Sequence, residues 1–298
     1  MIKNFDQLID MLRAQPVRRK VAVVMAQDEH TLEAVLHAYR DGLVEPILLG
    51  NEAGIREVLK KLGAENEDLR IVPVDDAVAA TEEACRMAKA GEIDCIMKGK
   101  LETGTLMKVL VNREKGIRSS EVMSVMAVME SPGYHKIFAI SDPALLTYPT
   151  KEQKKGAIAN CVGAFKKLGI ENPKVAIITA VEKVNPKMPE TVEAAEIKAE
   201  GVEGAVIEGP ISLDLAMEAE SAKIKGYESP VAGDADLLVL PDIVASNATA
   251  KSITVLGGGR TGGTVLGALV PVLLVSRAAT ADDKYMSIVV SALVGGRN

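Results

Sequence analysis

The chain is poor in rings and thiols. Trp is absent, the aromatic share is only 3%, and three cysteines occur in 298 residues. With few aromatic platforms for bases to stack on, a single-stranded nucleic-acid binder is disfavoured. A net charge of −6 argues the same way, while leaving room for small anions held by local basic groups. Cys85, Cys95 and Cys161 form no C-x-x-C pair and offer no zinc spacing, so they read as free, buried thiols in a reducing compartment. His30, His37 and His135 make no Glu-x-x-His or His-x-x-x-His arrangement and read as ordinary surface histidines, so no metal is expected. Long apolar runs are missing too. The longest, Val265 to Val275, is too short to span a bilayer and contains Gly267 and Pro271. Met1 leads into Asn4, Asp6 and Asp10 instead of an apolar signal core. The expectation is a cytoplasmic protein with neither membrane nor nucleic acid as partner.

What is present is aliphatic. Hydrophobic residues make up 48% of the chain, enough for one large or two ordinary domains. Short apolar runs read as strands at 21–26, 46–49, 71–74, 93–97, 122–129, 137–140, 175–180, 205–207, 237–240 and 272–275. Helical patterns lie between them near 29–41, 52–62, 76–90, 104–112, 151–168, 190–200, 212–224 and 283–294. Such alternation predicts an α/β fold with mostly parallel sheets, and strands apolar on both faces should be covered by helices on both. The turn Ser131-Pro132-Gly133-Tyr134 marks a domain boundary. Two α/β domains are predicted, 1–131 with 271–298 and 132–270, with the active cleft between them.

The most telling segment is Pro271 to Asp283. A strand-like run ends in Ser276-Arg277, and a helix pattern starts near Asp282. Ligands of parallel α/β sheets sit at the carboxyl ends of strands, and a guanidinium suits phosphate or acyl phosphate. Asp283 admits two readings. It is a carboxylate able to take a proton, or it closes a capping box with Thr280. Lys98-Gly99-Lys100-Leu101-Glu102-Thr103 follows a strand and opens a helix, as an anion site would; a solvated turn with Thr103 or Thr105 as N-cap fits equally. Lys183 lies on a loop after a strand, where it either steers an anion or faces solvent. Asn247 and Lys251, four apart on one helical face, either reach a substrate or cap and solvate the helix. Gly257-Gly258-Gly259-Arg260-Thr261-Gly262 formally matches the dinucleotide G-x-G-x-x-G, but Pro271 and its late position in the chain argue for a flexible or closely packed glycine segment instead.

Several long segments carry a further signal. They are Ile140-Ser141-Asp142-Pro143, Ala180 to Pro189, Glu208-Gly209-Pro210-Ile211-Ser212-Leu213-Asp214, Ser229 to Asp236 and Ser276-Arg277. In this order they resemble the phosphate acetyl/butyryltransferase family along nearly the whole chain, most closely its butyryl branch. The resemblance implies two α/β/α domains similar to the isocitrate and isopropylmalate dehydrogenases, and a homodimer or higher homo-oligomer. It implies the reaction acyl-CoA + phosphate ⇌ acyl phosphate + CoA, with butyryl-CoA the expected acyl donor. CoA is then a substrate, and no cofactor is permanently bound. In the acetyl branch a catalytic Asp follows the Ser-Arg pair six residues after the Arg, which selects Asp283 over Asp282. Arg277 would hold the phosphoryl group, Ser276 would help stabilise developing charge, and Asp283 would take the thiol proton. The butyryl branch commonly has Ser-His-Val where Ser124-Val125-Met126 stands, which marks Ser124 as a substrate-side position lacking its neighbouring His. Glu208 replaces a usual Asp, and Ser246-Asn247 a usual Gly-Asn. Rival readings are a phosphate acetyltransferase, an NAD-dependent dehydrogenase on the same architecture, and a CoA-sensing module without turnover.

Overall fold

The computed structural model describes residues 1–275 and 279–296. Its contacts group the chain into two compact units, Phe5–Glu121 with Gly262–Asn298, and Met1–Asn4 with Val122–Thr261.

In the first unit, strands β1 (Arg19–Val24), β2 (Val44–Gly50), β3 (Arg70–Pro73), β4 (Cys95–Lys98), β10 (Arg260–Leu266) and β11 (Val272–Leu273) line up in the order β3-β2-β1-β4-β11-β10. All neighbours run parallel except the last pair, β11 and β10. The crossovers are α2 (Glu29–Arg40), α3 (Glu52–Lys61) and α4 (Ala77–Ala90), and α5 (Thr103–Leu110) follows β4. Local sequence sets their ends. Asp28, Asn51 and Asp76 accept backbone N–H groups as N-caps, and Gly91 closes α4 in the left-handed region at φ 73°. α1 (Phe5–Arg13) and α2 pack against α11 (Ala281–Val294). The Tyr285 hydroxyl on α11 donates to Asp41 just past α2 at 2.5 Å, and its ring lies 4.5 Å from that of His37. Strands β1 and β4 are buried almost throughout, as parallel strands covered on both faces should be.

The second unit orders β5 (Ser124–Glu130), β6 (Phe138–Ser141), β9 (Leu237–Val239), β7 (Lys174–Ile178) and β8 (Val206–Ile211) as β5-β6-β9-β7-β8. Only β5–β6 is antiparallel. Its helices are α6 (Lys151–Lys167), α7 (Pro189–Glu200), α8 (Leu213–Met217), α9 (Ala219–Lys225) and α10 (Ile243–Lys251), the last running into a π-helical turn at Ser252–Leu256. The core gathers Met129, Phe138, Ile140, Leu215, Val231 and Leu238. A charged clasp fixes the strand starts. Lys136 donates to Asp236 at 2.6 Å, while the Lys174 backbone N–H donates to the same carboxylate at 2.8 Å. Asp234 faces Lys136, Lys174 and His135. Burial pushes the Asp234 carboxyl up, but these donors outweigh it and hold the group well below the usual carboxylate range.

The sequence expectations differ from this arrangement in places with a physical reason. Residues 122–131, assigned to the first domain, pair with β6 through Ala127↔Ile140, Val128↔Ala139 and Met129↔Phe138, and so belong to the second unit. Gly262–Leu266 joins the first unit because Val265 pairs with Val272. The expected helix over 212–224 divides at Glu218 into α8 and α9. The glycine cluster runs from a turn at Gly257 into strand β10 at Arg260, and no helix follows it to cradle a dinucleotide. A Cβ at Gly262 would sit 2.7 Å from the Met286 carbonyl oxygen, so glycine is needed for β10 to pass α11.

All three cysteines are buried, and burial raises the Cys85 thiol to about 11 and that of Cys161 to about 12. Among the described residues no helix is long and apolar enough to cross a membrane, and no group of His, Cys, Asp and Glu is arranged to hold a metal ion.

Two stability tests follow from this packing. Gly262→Ala should lower unfolding free energy by roughly 1–3 kcal/mol in urea denaturation, the usual cost of overpacking; an unchanged midpoint would contradict the close strand–helix approach. Asp234 contributes stability above the ordinary carboxylate range that is lost as pH falls through its lowered folded value. Asp234→Asn should therefore melt below the parent at pH 7, with the gap closing toward pH 2. A gap independent of pH would reject the clasp.

Candidate anion-binding active site

The chain places its basic residues where strand ends meet helix starts. β4 ends at Lys98, and the following loop folds back on the end of β1. The Gly99 N–H donates to the Val24 carbonyl and the Lys100 N–H to that of Met25, each at 2.8 Å. This contact leaves no room for a side chain at residue 99. A Cβ there would lie 2.8 Å from the Val24 oxygen and closer still to that of Met25. Met25 itself stands at φ 57°, in the left-handed region that non-glycine residues rarely adopt. The loop is therefore held by backbone contacts, independent of its exposed side chains.

A cavity of about 590 Å³ opens at this edge. Met97 to Glu102 line it, together with Asp28, His30 and Thr31 from the start of α2, Val275 beyond β11, and Lys284 in the first turns of α11. Helix N-termini bring exposed N–H groups and a positive dipole end, and the lysines add full charges. Lys98 is buried, and its ammonium donates to the Leu101 carbonyl at 3.0 Å and to that of Gly99 at 3.3 Å. Of the two acids at the rim, Asp28 is committed to capping, since its carboxylate takes the Thr31 N–H at 2.9 Å and the Thr31 hydroxyl. Glu102 is the N-cap of α5 without a side-chain capping bond, so the cap falls there and not on Thr103 or Thr105. The surplus of positive charge suits a small anion.

The residues singled out from sequence separate. Lys98 and Lys100 share the cavity, while Thr103 is the exposed first residue of α5. Ser276 and Arg277 lie outside the described residues. Val275, the residue before them, lines the cavity. Asp283 forms the capping box. Its Oδ2 accepts the Thr280 N–H at 3.1 Å, and its own N–H donates to the Thr280 hydroxyl at 3.1 Å. Ser124, Lys183, Asn247 and Lys251 belong to the second unit. There Ser124 is buried and its hydroxyl accepts from Asn160 at 3.1 Å. Asn247 donates to the Pro143 carbonyl at 3.0 Å, whereas Lys183 and Lys251 are exposed. Asp142, part of a quoted motif, is buried against the N–H groups of Val125, Ala144 and Leu145 at 2.7–2.8 Å. Burial raises its carboxyl, and these N–H groups oppose the shift. Sequence reasoning missed Lys284 and set His30 aside as a surface histidine. The signal for Lys284 was legible only as an anomaly, a cation in the first turns of a helix whose dipole disfavours it.

Comparison with known proteins now fits this picture. Residues 59–292 match the family model described as phosphate acetyl/butaryl transferase. A phosphate acetyltransferase of Thermotoga maritima is 40% identical over 296 residues, covering 97% of this chain and 98% of that protein. A phosphate butyryltransferase of Clostridium beijerinckii is 39% identical over 302 residues, covering 100% of both. A branched-chain phosphotransacylase crystal structure from Enterococcus faecalis V583 is similar at 30% identity and a TM-score of 0.83, over 93% of this chain and 98% of that one. With the family model spanning most of its length and full-length relatives near 40% identity, the chain belongs to the phosphate acetyl/butyryltransferase family.

Proposed function

We propose that the protein is a phosphate butyryltransferase, moving an acyl group between CoA and phosphate: acyl-CoA + phosphate ⇌ acyl phosphate + CoA. The observation that carries this reading is the lysine-lined cavity at the ends of β1, β4 and β11, with Val275 on its wall immediately before Ser276-Arg277. Family membership supplies the reaction class, and the end-to-end match to a butyryltransferase supports butyryl-CoA as acyl donor.

The chemistry asks for two things. In the acyl-CoA-forming direction the CoA thiol must lose a proton, and the departing phosphate must be stabilised as its bond to the carbonyl carbon breaks. In this reading Arg277 grips the phosphoryl oxygens with its planar fork and Ser276 donates to the developing charge. Lys98 and Lys100 set the positive potential of the cavity that receives the anion. Asp283 accepts the thiol proton, and in reverse returns it to the departing thiolate. The capping box and this role are compatible in geometry. Capping occupies Oδ2, leaving Oδ1 as the oxygen that exchanges the proton.

Phosphate-dependent CoA release measured across acetyl-, propionyl- and butyryl-CoA should give its highest kcat/KM with butyryl-CoA. A maximum at acetyl-CoA would make the protein an acetyltransferase, and no turnover with any donor would sink the enzymatic reading. Asp283→Asn keeps an oxygen for the Thr280 N–H, so it should fold while kcat falls by about 10²–10⁴, the usual worth of a general base. Near-parental kcat in the folded variant would leave Asp283 with capping alone. Arg277→Ala should raise KM for phosphate and lower kcat together.

A further inference from the structure

Lys284 is out of place by every local rule. It is the fourth residue of α11, where the helix dipole disfavours a cation, and it is only 6% exposed. Its ammonium forms no ion pair among the described residues. Asp283, its neighbour, is turned back to Thr280, and Asp282 is exposed. A largely buried lysine with no ion-pair partner among the described residues is costly to hold, and proteins retain such residues where a ligand completes them. The side chain lines the cavity shared with Lys98 and Lys100.

We infer that Lys284 is an anion-holding residue whose partner is the phosphate substrate: its ammonium binds a phosphoryl oxygen in the cavity. The burial of the residue selects the partner. A largely covered lysine at the cavity wall is within reach of a compact dianion such as inorganic phosphate, whereas the bulky nucleotide part of CoA needs an open surface. Lys98 cannot substitute for it in this role, because its ammonium is directed to the Gly99 and Leu101 carbonyls. The assignment rests on the acyl-transfer reading above, but it predicts phosphate binding whether or not turnover occurs.

The test is Lys284→Met, which keeps length and removes charge, beside Lys284→Gln as a second variant. Thermal melts with and without inorganic phosphate come first. Phosphate should raise the parent's Tm, and this rise should shrink in both variants. Without phosphate, the Met variant should melt at or above the parent, since a largely buried lysine with no ion-pair partner among the described residues has gone. In steady-state assays KM for phosphate should increase roughly 10- to 100-fold, the worth of one charge-assisted hydrogen bond, with KM for acyl-CoA within about twofold. An unchanged phosphate KM and an unchanged phosphate-induced Tm rise would overturn the assignment. So would a higher KM for acyl-CoA alone, which would give the ammonium to CoA, or a phosphate-free Tm loss with phosphate binding intact, which would make Lys284 structural. If the parent binds phosphate without releasing CoA from any acyl-CoA, the acyl-transfer reading fails, and the melts still decide the fate of Lys284.

Discussion

The candidate site depends on one close contact, the backbone of Gly99 and Lys100 lying on the end of β1. Two N–H groups donate to the Val24 and Met25 carbonyls, and no Cβ fits between them. This contact positions the loop without using the side chain of Lys100, which is exposed at the cavity and left for ligand. Met25 stands in the left-handed region at this contact, and its carbonyl accepts the Lys100 N–H. Parallel strands end together at one edge of a sheet, so a loop held there meets the starts of the helices that follow its neighbours. The cavity is a product of that geometry before it is a product of any single lysine.

Charge is then handled unevenly around the cavity. Asp28 is spent on capping α2, and Asp283 caps α11. Lys98 finds carbonyl oxygens, while Lys284 is buried without an ion-pair partner among the described residues. Two acids are thus drawn into helix caps while three lysines line the hollow, a distribution that favours an anion over a cation. In the second unit the opposite holds. Lys136, Lys174, Asp234 and Asp236 satisfy one another and tie strand starts together, so their charges serve folding.

Much of the fold was legible because its signals are local. Apolar runs marked the strands, and the Thr280 cap marked the start of α11 within a residue or two. The misreadings of strand membership were non-local. Strand β10 hid in a glycine cluster, where Gly262 answers to α11 and not to strand propensity. Residues 122–131 went to the wrong unit because strand pairing, unlike strand formation, is invisible in a single segment. In the site, Lys98 and Lys100 were visible from their place after a strand, whereas Lys284 and His30 were not, since each comes from a separate helix start that only folding brings to the same hollow.

The sequence alone determined the α/β alternation, the aliphatic core and the family, because periodicity, composition and ordered motifs are properties of the chain read in line. Tertiary structure decided which strands share a sheet, why Gly99 and Gly262 must be glycine, and which cations face a common cavity. Those depend on distances between segments far apart in sequence, and on burial, which turns an unremarkable lysine in a helix into part of a cavity wall.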